Sequence, residues 1–246
     1  MLRDLRSLLD AIEADSDCRV VVFSSANPDF FLSHFDLNIV LGNLSEATGL
    51  PPERAEKLNP MNTTFERYRT LGKATIAVIE GRIAGAGTEF VHALDMQFAA
   101  KGRTLISQFE VALGLLPGGT GTQRLPLLMN RSRALELILG CDEIDAETAE
   151  LYGCVNRALA ADEIRGFVDR LARRIATFPA DAIALAKKAV DAALPDPMPG
   201  LLEESYLAAQ LLGTSEVKRR FQRILELGAQ THEFELQLAQ HLPSLR

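Results

Sequence analysis

The sequence predicts an α/β protein on three observations. A helix-period segment at the start feeds a buried strand, a second strand runs into a glycine-rich turn and a short helix, and the second half of the chain is helical. Leu2, Leu5, Leu8, Leu9 and Ile12 recur at helical spacing, and Arg19-Val20-Val21-Val22-Phe23-Ser24 reads as a buried strand. Residues 26–60 hold Asn27-Pro28, Gly42, Gly49, Pro51-Pro52 and Pro60, the composition of a long binding loop or lid. A helix over 61–71 leads to a second strand, Ala74 to Ile79, and Gly81 to Gly87 turn the chain into a helix over Thr88 to Leu94. Strand-like pieces follow around 96–100 and 104–108, then helices over about 124–139, 145–151, 162–176, 179–193 and 201–240.

A chain of 246 residues predicts one large domain or a core with a small appendage, and 47% hydrophobic residues suffice to fill that core. The break falls at Leu194-Pro195-Asp196-Pro197-Met198-Pro199-Gly200, where clustered prolines interrupt a helix. The division is therefore a core over 1–193, then a proline-rich linker and helical region over 194–246. Val217, Phe221, Ile224, Leu225 and Leu227 line one side of that tail, a face suited to covering its own core or to a subunit contact.

Composition excludes several function classes. With 26 basic against 33 acidic residues the net charge is −7, the wrong sign for a general nucleic acid binder. Cys18, Cys141 and Cys154 are odd in number and form no CxxC pair, which predicts neither a disulfide framework nor a zinc site and fits a reducing, cytoplasmic setting. No apolar run reaches the roughly 18 residues that cross a bilayer, and the start carries no signal-peptide pattern. Gly85-Ala86-Gly87-Thr88-Glu89-Phe90 lacks the third glycine of a dinucleotide fingerprint, and there is no Walker loop, HExxH pair or Gly-x-Ser-x-Gly elbow.

What remains is a strand, turn and helix start at 75–90 and a second glycine-rich turn at 114–121, just after Glu110. The first amides of a helix lack intrahelical acceptors and sit at the positive end of its dipole, so they suit an anionic oxygen. Glu89, in the first turn, fits either an acid for proton transfer or a partner of its own helix dipole. Glu110, between Phe109 and Val111, fits a proton carrier near neutral pH or a buried ion pair.

Three runs carry a family resemblance: Phe31-Leu32-Ser33-His34-Phe35-Asp36-Leu37, Glu80 through Glu89, and Gln108 through Leu125 with its Gly118-Gly119-Thr120-Gly121 turn. In order and spacing they resemble the fingerprints of the enoyl-CoA hydratase/isomerase (crotonase) superfamily over roughly residues 1–193. The resemblance implies a crotonase-like spiral of ββα turns whose helical C-terminal region builds a homotrimer or hexamer. It implies acyl-CoA thioester chemistry through an oxyanion-stabilised enolate, with coenzyme A entering as part of the substrate and no separate cofactor or metal.

Carried over, the resemblance puts the oxyanion amides at Phe35 and Ala86, the hydratase acids at Glu89 and Glu110, and Gly118 at the helix start that helps to place the water. Ser33, His34, Asp36 and Gly85 are the implied substrate contacts. The pair of acids implies hydration of a 2-enoyl-CoA. The alternative is a catalytically weak or inactive relative that binds acyl-CoA or serves as a scaffold.

The chain departs from the family pattern in places. His34 stands where glycine is usual, Phe35 where a small residue is usual and Ala86 where glycine is usual. A backbone amide survives each change. His34 adds a titratable group, read either as a proton carrier or as a side chain turned outward. The strand pair that opens most family members, ahead of the helix that here starts near Met1, is expected to be missing.

Overall fold

The computed structural model describes residues 1–45, 54 and 56–245. Of the loop expected over 26–60, residues 46–53 and 55 lie outside the described residues. The chain opens on α1 (Leu2–Ala14), whose Leu9 and Ile12 are buried at the predicted spacing, and passes to β1 (Val20–Phe23) and β2 (Phe30–Leu32). Helices α2 (Leu37–Ser45) and α3 (Pro60–Arg69) lead to β3 (Ala74–Ile79) and β4 (Arg82–Ala84). Then come α4 (Ala86–Val91), β5 (Met96–Ala100), β6 (Leu105–Ser107) and a 3-10 turn over Glu110–Leu113.

Successive strand pairs feed two sheets. One has the order β1-β3-β5-β8, with β8 at Arg157–Leu159, and is parallel throughout. The other has the order β2-β4-β6-β7, with β7 at Glu143–Asp145, and only its last pair is antiparallel. Each turn of the chain thus lays one strand on each sheet, which is the spiral that the resemblance implies. All six residues of β3 are buried, as a continuous apolar run in a central parallel strand requires.

The helices α5 (Gly121–Met129) and α6 (Arg131–Gly140) replace the single helix expected over 124–139. Asn130 breaks it, with φ +69° and a side chain that accepts from the Ser132 and Arg133 amides to start α6. Next are α7 (Ala146–Tyr152), α8 (Ile164–Ala176) and α9 (Ala180–Asp191). The proline-rich linker gives way at Met198 to α10 (Met198–Leu212), because Pro199 occupies the first turn, where a missing N–H costs no hydrogen bond.

The tail expected as one helix over 201–240 continues as α11 (Ser215–Glu226), α12 (His232–Glu235) and α13 (Leu238–His241). Thr214 and Thr231 cap the starts of α11 and α12. The apolar side of α11 turns inward, as Val217, Phe221 and Ile224 pack with Leu37, Phe109 and Leu113. By contrast α9 buries none of its residues and leaves Leu185 and Val190 exposed. No helix among the described residues is long and apolar enough to cross a membrane.

Candidate active site

The short helix α4 is fixed from its inner side. Phe90 packs edge-on against Phe23 and Tyr68, with ring centroids 5.4 and 5.2 Å away, and the Thr88 hydroxyl donates to the Ser107 carbonyl at 2.9 Å. The helix follows Gly85, whose φ of +51° favours glycine and whose added Cβ would lie 2.7 Å from Glu110 Oε1. A Cβ on Gly87 would fall 2.2 Å from the Leu32 carbonyl and 2.7 Å from that of Ser33. The backbone of Leu32 and Ser33 therefore meets Gly87 directly, and a Cβ on Gly85 would lie 3.3 Å from the His34 Cβ. Ala86, as the first residue of α4, has an amide without an intrahelical acceptor, and no backbone acceptor among the described residues takes the Ala86 or Phe35 amide.

Glu89 is buried, and its Oε1 accepts from the amides of Gly119 at 2.7 Å and Gly121 at 2.8 Å. The alternate amides, Thr120 and Thr122, serve a second carboxylate. Glu204 of α10, also buried, accepts from Thr120 at 2.8 Å and Thr122 at 3.1 Å, and from the Thr122 hydroxyl. Glu110 opens the 3-10 turn, and the Gln108 side-chain amide, with its nitrogen turned toward Glu110, donates to that carboxylate at 2.9 and 3.2 Å.

Burial and mutual repulsion govern these acids. Burial raises the Glu89 pKa well above its ordinary value, the charges of Glu110 and Glu204 add to that, and the two glycine amides oppose it. Glu110 is pushed up to about 7, chiefly by burial, with backbone hydrogen bonding and His34 pulling the other way. Two carboxyls whose ionisation is disfavoured in this way are suited to exchanging protons with a substrate near neutral pH.

His34 turns inward, against the expectation of an outward side chain. Its Nδ1 lies 2.7 Å from the Phe35 carbonyl, its Nε2 lies 3.0 Å from Glu235, and its ring meets Phe109 edge-on at 5.1 Å. Ser33 meets α4 through its carbonyl at Gly87. Gly118 faces α10, with an added Cβ 3.5 Å from Ala208. Asp36 is exposed, and its carboxylate accepts from the Asn38 amide at 2.9 Å in the manner of a cap for α2.

Of the residues singled out in the sequence, Gly85, Glu89, Glu110, His34 and the 118–121 turn come together, while the Asp36 side chain points to solvent. Sequence reasoning missed Gln108, Glu204 and Glu235. For Glu204 a signal existed, since Leu201, Glu204 and Ala208 fall on one helix face and place an acid among apolar neighbours.

Residues 1–230 match the model of a family described as enoyl-CoA hydratase/isomerase. The chain belongs to the enoyl-CoA hydratase/isomerase family. Among its relatives, a probable mitochondrial enoyl-CoA hydratase 2 of Arabidopsis thaliana is 32% identical over 217 residues, 88% of this chain and 70% of that protein. A short-chain-enoyl-CoA hydratase of Clostridium acetobutylicum is 28% identical over 190 residues, 77% of this chain and 70% of that protein. A crystal structure of a candidate enoyl-CoA hydratase from Streptomyces avermitilis superposes with a TM-score of 0.89 at 40% identity, covering 100% of this chain and 88% of that one. The crotonase fold, with its two sheets wound in one spiral, is the architecture described above.

Proposed function

We propose that this protein adds water across the double bond of a 2-enoyl-CoA thioester. The observation that carries the reading is the setting of Glu89. One of its oxygens is pinned by the Gly119 and Gly121 amides, and the charge of Glu110 reaches it. The thioester carbonyl would lie against the Phe35 and Ala86 amides, which stabilise negative charge as it grows on that oxygen. Glu89 takes a proton from water as the water oxygen bonds to Cβ, the double-bond electrons pass to the enolate, and Glu110 delivers a proton to Cα. The product is a 3-hydroxyacyl-CoA, and the proton held by Glu89 returns to solvent or to Glu110 for the next cycle. Two acids favour this reaction over double-bond isomerisation, which needs only one.

Ser33, His34, Asp36, Gly85 and Gly118 are proposed to shape the binding site around the two amides and the water. The reaction is redox-neutral, so coenzyme A as part of the substrate is the only cofactor proposed. Assembly as a homotrimer or hexamer is supported by the exposed Leu185 and Val190 of α9 and by Leu194 just beyond it. A cytoplasmic setting is supported by Cys18, Cys141 and Cys154, all free thiols.

A panel of 2-enoyl-CoA esters of increasing chain length, followed by the absorbance of the conjugated thioester, tests the reading. Loss of absorbance with at least one ester, and its absence in Glu89→Gln, is expected. A folded protein inert toward every ester would favour a binding or scaffold role instead.

A further inference from the structure

Four consecutive amides, Gly119 to Thr122, are shared alternately between two buried carboxylates on distant parts of the chain. Gly119 and Gly121 donate to Glu89, while Thr120 and Thr122 donate to Glu204. The alternation depends on Thr120, whose φ of +92° lies in the left-handed region that threonine seldom adopts. A strained residue of this kind persists only where its surroundings hold it. Here Glu204 grips the amides of Thr120 and Thr122, and Arg124 Nε donates to the Thr120 hydroxyl at 2.8 Å.

We propose that Glu204 is a positioning residue for Glu89, holding the 119–122 turn so that its two glycine amides converge on one oxygen of the acid and leave the other open to water. The proposal rests on the hydratase reading above and extends it to the C-terminal helix. Burial raises the Glu204 pKa, and three donors directed at its two oxygens, two amides and the Thr122 hydroxyl, work against that rise in favour of the ionised form. A buried charge is a costly way to hold a turn unless the charge itself is used. Its other charged neighbours are Glu89 and Glu110, whose ionisation it disfavours, and Arg124, which it favours in the charged form. Glu204 therefore orients Glu89 through the turn and helps to keep a proton on the Glu89/Glu110 pair.

The test is Glu204→Gln assayed for hydration across pH, with Glu89→Gln alongside. Misplacing the base without touching the substrate predicts a fall in kcat of about 10²-fold with little change in KM. Removing the negative charge lets the pair release its proton more readily, so the pH profile of kcat moves to lower pH. Should Glu204→Gln fail to fold, Thr122→Val, which deletes only the hydroxyl donor, is expected to move kcat in the same direction by a smaller factor. A folded Glu204→Gln, or failing that a folded Thr122→Val, with wild-type kcat and pH profile overturns the proposal if Glu89→Gln is inactive. If Glu89→Gln turns over normally, the hydratase reading falls and takes the proposal with it.

Discussion

The imidazole of His34 is held between two acceptors, the Glu235 carboxylate at 3.0 Å from Nε2 and the Phe35 carbonyl at 2.7 Å from Nδ1. A neutral imidazole has one N–H and satisfies one of them, whereas the imidazolium satisfies both. Burial works against that charge, but Glu235, the Phe35 carbonyl and Glu110 outweigh it and raise the His34 pKa above 6.5. The Gln230 amide donates to Glu235 at 2.7 Å, so the stretch entering α12 is tied to the loop that carries Phe35.

This pair makes stability depend on pH with a definite sign. A histidine whose pKa is raised on folding contributes stability that is fully present below its unfolded value of about 6.5 and is lost as pH rises through the folded value. His34→Gln should remove that part of the alkaline fall in Tm. Glu235→Ala, which leaves a nearly buried cation unpaired, should cost about 3 kcal/mol in denaturant unfolding. Equal stability of Glu235→Ala and wild type would refute the ion pair.

Glu110 gives the opposite balance between activity and stability. Its pKa rises from 4.5 to about 7 on folding, so the native state binds more protons than the unfolded chain across that window and stability falls as pH climbs through it. Glu110→Gln should be less sensitive to pH over the same range and more stable than wild type above pH 7. Hydration, which needs the protonated acid as donor, should slow as pH rises past about 7. In Glu110→Gln it should fall by roughly 10² to 10⁴ at every pH.

The proposed oxyanion hole is made of backbone groups, and only proline removes such a donor. Ala86 is the first residue of α4, where proline is tolerated and the missing amide has no helical acceptor. Ala86→Pro should therefore fold, as checked by circular dichroism. Its kcat should fall by roughly 10² to 10³, with a smaller change in acyl-CoA affinity, because charge on the carbonyl oxygen grows toward the transition state. Unchanged turnover in a folded variant would remove the Ala86 amide from the site.

Assembly is tested on α9, whose Leu185 is 64% and Val190 67% exposed. Light scattering should give a trimer or hexamer for the wild type. Leu185→Glu with Val190→Glu should shift it to smaller species without unfolding. A stable wild-type monomer at working concentration would contradict the proposed assembly.

The parts of the site legible in the sequence are those built by local chemistry. Gly85, Gly87 and the 118–121 turn announce close backbone approaches, and Glu89 and Glu110 stand directly beside them. Strand β3 was legible because its apolar run is long. Strands β2, β4, β7 and β8 have only three residues each, too few for a period to register. The division of 124–139 turned on Asn130, a residue whose left-handed backbone leaves no mark in apolar spacing. Glu204 and Glu235 escaped for another reason. Glu204 lies 84 residues from the Thr120 amide and Glu235 lies 201 residues from His34, so only the folded chain reveals what each one holds.

Hydration in water enriched in 18O reads the central claim most directly, because it follows the atom that Glu89 is proposed to activate. With an enoyl-CoA ester the wild type should lose the conjugated-thioester absorbance and yield a 3-hydroxyacyl-CoA bearing one 18O at C3, whereas Glu89→Gln should yield almost none. A product that carries no 18O at C3, or formation of labelled product by Glu89→Gln at the wild-type rate, would contradict the assignment.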